Sequence, residues 1–240
     1  MSMLDNKNCL ITGATGGLGQ EIAKTLLKER CNLFLTAKNE RRLKKLKSDL
    51  EKINKNKCKI SYCAGDITKQ SQIKKIINAV RRDLHHVDVL INCAGIFQSK
   101  PISQSTEDDF DNVIGVNIRA PFLLCKEFSK DMISKKWGRI LNIGSSSAYS
   151  GFKNGTIYCS SKHAMLGLSR SLFDELKVHG IRVYCISPGS IKTKMGKQSK
   201  DQDFKTFLDP AEVAKYVGFV ISFNDDLVSE EIRLNRIRLK

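Results

Sequence analysis

Three features of this 240-residue chain have side-chain types and spacings that could do chemistry. The first is the stretch Thr12, Gly13, Ala14, Thr15, Gly16, Gly17, Leu18, Gly19, set between a short apolar run and a helical pattern. Glycines at a strand-to-helix turn let the main chain approach a pyrophosphate, and the helix N-terminus adds free N–H groups and positive potential. The spacing is T-G-x-x-x-G-x-G, and its place in the first strand–helix unit favours a nucleotide site over an ordinary tight turn. The second feature is the pair Tyr158 and Lys162, which share a face if the segment is helical. A neighbouring ammonium favours the phenolate and draws a tyrosine pKa from about 10 towards neutrality, making the phenol a usable proton donor and acceptor. The third is Ser145, thirteen residues before Tyr158 and directly after an apolar run. That position puts its hydroxyl at the carboxyl end of a sheet strand, where open α/β folds bind their ligands. Ser146 and Ser147 compete for the same role, and the spacing to Tyr158 favours Ser145.

The elements that must hold these groups alternate from end to end. Short runs rich in Ile, Leu and Val occur at 8–12, 32–36, 59–63, 87–92, 139–144 and 181–187. Runs apolar on both faces suit strands buried inside a parallel sheet. Between them lie amphipathic stretches, with Leu18, Ile22 and Leu26 on one stripe and Ile73, Ile76, Ile77, Val80 and Leu84 on another. Thr106 and Asp109 form a capping-box pattern, and Asp209 before Pro210 is a second helix start. Thr68 is expected to cap the helix after the third strand. Strands joined by crossover helices predict a doubly wound, mostly parallel α/β sheet with helices on both faces. No linker or low-complexity tract divides the chain, so a single domain over 1–240 is expected.

Composition narrows the classes. Apolar residues make up 41%, enough for a substantial core. The longest largely apolar run, 217–223, is far short of the ~18 residues that span a bilayer, so no membrane segment is expected. The short N-terminal lead-in gives no secretory signal pattern. Eight cysteines form no C-x-x-C pair and mostly lie in apolar runs, which suits free thiols in a reducing cytoplasm and gives no metal pattern. The four histidines, at 85, 86, 163 and 179, have no site-like spacing. The net charge is +16, with ten basic and three acidic residues between Lys38 and Lys59. Because no aromatic residues interleave with them, they read as a solvated helix face and no nucleic-acid partner is expected.

Taken in order, these motifs resemble the short-chain dehydrogenase/reductase family over nearly the whole chain. The matching residues are the glycine loop from Thr12 to Gly19, Asp66 with Ile67, Asn92-Cys-Ala-Gly95, Asn117, Ser145, Tyr158 with Lys162, and Pro188-Gly-Ser-Ile-Lys-Thr193. The resemblance implies a Rossmann-type sheet of seven strands and NAD(P)-dependent interconversion of a carbonyl and a secondary alcohol, without metal. It implies that Tyr158 is the general acid/base, that Ser145 binds the reacting oxygen, and that Lys162 lowers the tyrosine pKa and holds ribose hydroxyls. Asn117 would hold a relay water. Gly13, Thr15, Gly16, Gly17, Leu18 and Gly19 would cradle the pyrophosphate, and Asp66 and Ile67 the adenine. Asn92, Ala94 and Gly95 would lie near the ribose. Pro188, Gly189, Ile191 and Thr193 would lie at the nicotinamide. Cys93 stands where the family's turn commonly has a second Asn, which puts the hydrogen bonding of that turn in question.

Cofactor choice is read at the end of the second strand. An acid there selects NAD, whereas cations select the 2′-phosphate of NADP. Ala37 stands where NAD-using relatives carry Asp, and Lys38 where NADP-using ones carry Arg. Arg41 or Arg42 could add a second cation, with Arg41 taken as the candidate. NADP(H) is therefore expected over NAD(H). Substrate is less legible, although the segment 194–209 is expected to cover it. The ending from Val228 onward departs from the G-x-x-x-x-V-D-G-G strand of 3-oxoacyl-carrier-protein reductases, so that narrower activity is an alternative. A catalytically silent NADP-binding scaffold is the rival of another class, and the intact Ser145, Tyr158 and Lys162 argue against it. Apolar residues on the helices carrying Asn117 and Tyr158 suggest a homodimer or homotetramer.

Overall fold

The computed structural model describes residues 3–199 and 202–237. Seven parallel strands follow the chain as β1 (Asn8–Thr12), β2 (Asn32–Ala37), β3 (Ile60–Ala64), β4 (Val89–Asn92), β5 (Gly138–Ile143), β6 (Ile181–Pro188) and β7 (Glu231–Leu234). Their order across the sheet is β3-β2-β1-β4-β5-β6-β7. The helices are α1 (Gly17–Lys28), α2 (Glu40–Ile53), α3 (Gln70–Leu84), α4 (Glu107–Ile114), α5 (Ala120–Lys135), α6 (Thr156–Leu176) and α7 (Pro210–Ser222).

Because side chains alternate along a strand, each central strand feeds two cores. On β1, Cys9 and Ile11 join a cluster with Leu18, Ile22 and Leu26 of α1, Leu43 of α2 and Val217 of α7. Leu10 points the other way, into a cluster with Ile76 of α3, Phe128 of α5 and Leu176 of α6. The doubly wound expectation holds, with α1, α2 and α7 on one face and α3, α5 and α6 on the other. All eight cysteines are free; six are buried and Cys58 and Cys93 are half-buried.

The capping box at Thr106 and Asp109 is present, as is the Asp209 cap on α7. Thr68 does not cap α3. Its hydroxyl donates to Asp66 Oδ1 at 2.8 Å, and Lys69 takes the cap position without a side-chain bond. Between α4 and α5 the helix widens into a π segment, Gly115–Arg119, which carries Asn117. Such bulges concentrate where a helix must re-aim a side chain at a functional site.

Candidate active site

The order of the sheet reverses on either side of β1 and β4, and loops leaving the carboxyl ends of the strands part there. They enclose a cleft of about 1430 Å³. Every residue expected at the site lines this cleft except Arg41, Asn92 and Asn117.

One half is walled by main chain. Gly13 has φ +63°, and a Cβ there would lie 2.7 Å from Ala94 Cα, so only glycine fits between the two loops. The Thr12 hydroxyl accepts from the backbone N–H groups of Cys93 and Ala94, both at 3.1 Å. That bond fixes the turn through Thr12 and answers the question raised by Cys93. Helix α1 starts at Gly17 with no side-chain cap, which leaves its first N–H groups for an anion at the loop. Both Arg41 and Arg42 are exposed, but only Arg42 lines the cleft, its Nη2 donating to Thr15 O at 2.5 Å. Spacing alone could not choose between neighbours on a helix; their direction around the α2 axis does.

Lys38 reaches Asp66, with Nζ 2.8 Å from Oδ2. The Lys38 ammonium, helped by Thr68, holds the Asp66 carboxyl down at about 2. The expected 2′-phosphate cation and the expected adenine acceptor thus face one another. Asn92 differs from its expected place. It is buried, and its Nδ2 donates to Asn142 Oδ1 at 2.8 Å, tying β4 to β5 beneath the cleft.

The other half brings Ser145, Tyr158 and Lys162 together. Ser145 follows β5, accepts from Ser147 N through its hydroxyl at 3.1 Å, and lies beside the Tyr158 phenol in the same cleft. Lys162, one turn along α6 from Tyr158, donates to Ile143 O at 2.9 Å, with Nζ 5.9 Å from the tyrosine ring centroid. The expected lowering of the phenol pKa is not found. Burial pushes the Tyr158 phenol up, with the neighbouring Ser145 hydroxyl drawing it partly back. Burial also pushes the Lys162 ammonium down to about 8. Both shifts have one cause: the groups sit away from water, and desolvation disfavours whichever form is charged. Much of the cover over Tyr158 is aromatic. Phe97 meets its ring edge-on at 4.9 Å, and Phe152 lies 6.4 Å away and stacks on Phe97. Neither ring has a sequence spacing that would have marked it.

Asn117 lies behind this group, buried in the π segment. Its Nδ2 donates to Ile96 O at 3.1 Å and to Ser161 Oγ at 2.9 Å, while its Oδ1 accepts from Ile96 N at 2.9 Å. Both Nδ2 hydrogens and one lone pair of Oδ1 are thus engaged in holding the loop beside Gly95 to α6. The covering segment begins at Thr193, whose side chain packs on Gly17, and a parallel bridge joins Ile191 to Leu208 at its base. Met195, Gln198 and Gln202 line the cleft from it; its residues 200 and 201 lie outside the described residues.

The glycine turn, the uncapped helix and the size of the cleft fit a dinucleotide. The family described as short chain dehydrogenase matches residues 7–203. The chain belongs to that family. Among relatives of this short chain dehydrogenase, the 3-oxoacyl-(acyl-carrier-protein) reductase of Rickettsia bellii is 32% identical over 228 residues, covering 91% of this chain and 90% of its own. Nodulation protein G of a Rhizobium species is 31% identical and covers 92% of each chain. Among solved structures, a metagenomic short-chain oxidoreductase in complex with NADP superposes with TM-score 0.85 at 26% identity, over 99% of this chain and 100% of that one. The alcohol dehydrogenase of Thermococcus sibiricus complexed with 5-hydroxy-NADP gives 0.88 at 25%, over 97% of each. The protein is thus an oxidoreductase of the short chain dehydrogenase family. Among the described residues, no helix is long and apolar enough to cross a membrane, and no group of His, Cys, Asp and Glu is arranged to hold a metal.

Proposed function

We propose that the protein is an NADP(H)-dependent oxidoreductase that interconverts a carbonyl and a secondary alcohol, with Tyr158 as general acid/base. The observation that carries this reading is the convergence of Ser145, Tyr158 and Lys162 on the same cleft as the Gly13–Gly19 turn, whose far end holds Lys38 and Arg42. Bound there, NADPH supplies the hydride for reduction, and its oxidised form accepts one in reverse. Thr15, Gly16, Gly17, Leu18 and Gly19 would cradle the pyrophosphate, with Lys38 and Arg42 at the 2′-phosphate. Asp66 and Ile67 would flank the adenine, and Ala94 and Gly95 the ribose. Pro188, Gly189, Ile191 and Thr193 would seat the carboxamide end.

The rest is chemistry of the chain's own groups. With its pKa pushed up, the Tyr158 phenol is protonated at neutral pH and ready to donate to a carbonyl oxygen. The Ser145 hydroxyl, which lines the same cleft as that phenol, shares the substrate oxygen and fixes its place. Lys162 sits where it can reach ribose hydroxyls and replenish the proton. Phe97 and Phe152 exclude water above the phenol. The protein's free thiols agree with a reducing compartment such as the cytoplasm.

A narrower reading, reduction of 3-oxoacyl groups on a carrier protein, draws support from the Rickettsia relative's name and from Lys153 and Lys194 lining the cleft. Self-association rests on a smaller apolar surface than the sequence suggested. Met132, Phe128, Met165 and Leu176 are buried within the subunit, leaving Phe122, 47% exposed, with half-buried Leu123, Leu168, Leu172 and Phe173. We propose that this strip pairs two copies. The reaction is tested by following NADPH absorbance with a panel of ketones, keto sugars and 3-oxoacyl thioesters. Oxidation of NADPH that depends on one of them is expected. No turnover across the panel by protein that binds NADPH would overturn the reading.

A further inference from the structure

The tail after β7 returns to the segment that covers the cleft. Arg236, just past the end of β7, donates through Nη2 to Gln202 Oε1 at 2.9 Å and through Nη1 to Thr206 Oγ1 at 2.7 Å. Its guanidinium carbon lies 5.4 Å from the Phe207 ring centroid. Ser190, at the other arm of the segment, donates its hydroxyl to the same Gln202 oxygen at 2.9 Å. A guanidinium only donates, so the Gln202 atom that meets it is the carbonyl oxygen and the amide nitrogen is the other atom. Two donors occupy the two lone pairs of that oxygen. The amide Nε2 has no hydrogen-bond partner among the described residues, and Gln202 lines the cleft.

We infer that Arg236 and Ser190 fix the Gln202 amide as a hydrogen-bond donor to the substrate, selecting carbonyl compounds with a second acceptor oxygen, such as 3-oxo esters and thioesters, over simple ketones. The inference rests on the proposed carbonyl reduction and adds to its narrower reading the residues that would select the substrate. Gln202 is the specificity residue. Arg236 is a positioning residue that acts through it, which gives the divergent C-terminal sequence a task. Without the arginine, the Gln202 amide can rotate, and its donor is no longer held in place. Gln202 is exposed, so water pairs its donor when a ligand lacks the matching acceptor; a ligand that has it gains the net worth of one held hydrogen bond, and that gain is the discrimination.

The test measures kcat and KM with NADPH for a 3-oxobutanoate ester and a simple ketone of matched length. The quantity read is the ratio of the two kcat/KM values. In Gln202→Leu the ratio is expected to fall about tenfold, the loss of one good hydrogen bond, and chiefly through KM of the ester. Arg236→Met lowers the ratio in the same direction, and Arg236→Lys, which keeps a donor, recovers part of it. In a Gln202→Leu background, Arg236→Met lowers the ratio no further. An unchanged ratio, or equal falls for both substrates, would overturn the inference while leaving the reductase reading intact. Failure of the NADPH-binding parent to reduce any compound of the carbonyl panel would overturn the reductase reading, and this inference with it.

Discussion

At the β1–α1 turn the cleft wall is main chain against main chain, with Gly13 pressed on Ala94 and the Thr12 hydroxyl locking the facing loop. At the opposite end the wall is side chain. Phe97 and Phe152 roof Tyr158, and Gln202 is held by Arg236 from 34 residues further along. The first region tolerates one shape, because main-chain atoms cannot swing aside. The second can be re-cut by single substitutions without disturbing the sheet. The contrast suits the proposed pair of ligands: a dinucleotide whose pyrophosphate meets main chain, and a substrate that meets side chains.

The sharpest break between the regions is chemical. Tyr158→Phe is expected to lower turnover by about 10²- to 10⁴-fold, the range for losing a general acid–base group, while NADPH affinity stays within about twofold. Steady-state rates and a fluorescence titration of NADPH check the two halves separately.

Next is the buried lysine. Folded Lys162 has its pKa at about 8 against 10.5 in an exposed chain. Between those values the unfolded chain binds the extra proton, so the stability deficit present below about pH 8 is lifted as pH rises towards 10.5. The gain is on the order of 3 kcal/mol at most. Tyr158, shifted up, opposes it only above its ordinary value of 10. Denaturant melts of the parent and Lys162→Met across this range should show the parent gaining on the variant as pH rises. A parent that loses ground over that window would refute the buried-cation account.

The main-chain wall predicts a smaller, purely structural loss. Gly13→Ala places a Cβ in left-handed backbone and against Ala94, costing at least about 2 kcal/mol, which differential scanning calorimetry would read as a Tm drop of about 4 °C or more. Gly17→Ala meets only the Thr193 side chain, which can turn aside, so its Tm should fall less.

The smallest effect separates neighbouring cations. Lys38→Ala and Arg42→Ala should each weaken NADPH about tenfold and leave NADH nearly unchanged, whereas Arg41→Ala alters neither, as isothermal titration would show. Equal losses for NADPH and NADH would place these cations away from the 2′-phosphate.

Much of the fold was legible because buried parallel strands carry uninterrupted apolar runs; β1 and β2 begin at the expected residues. β7 was not, since Glu231-Ile-Arg-Leu alternates as any edge strand or loop can. Strand β4 starts at Val89, later than its apolar run, and Asp88 just before it takes the Asn8 N–H and Lys135 through its carboxylate. In the site, local motifs announced the glycine turn and the Tyr158–Lys162 pair. Phe97, Phe152 and Gln202 gave no signal, because their positions follow from loops meeting in space. Asn92 misled for the same reason, since the β4–β5 pairing that buries it is not written in its own segment.

The central claim is that the two regions serve one hydride transfer. It is tested most directly with NADPH carrying deuterium at its transferable position and a ketone that the protein turns over, with the product analysed by mass spectrometry. The account predicts one deuterium per product molecule, located on the carbinol carbon. Product formed without the label, or with the label released to water, would contradict it.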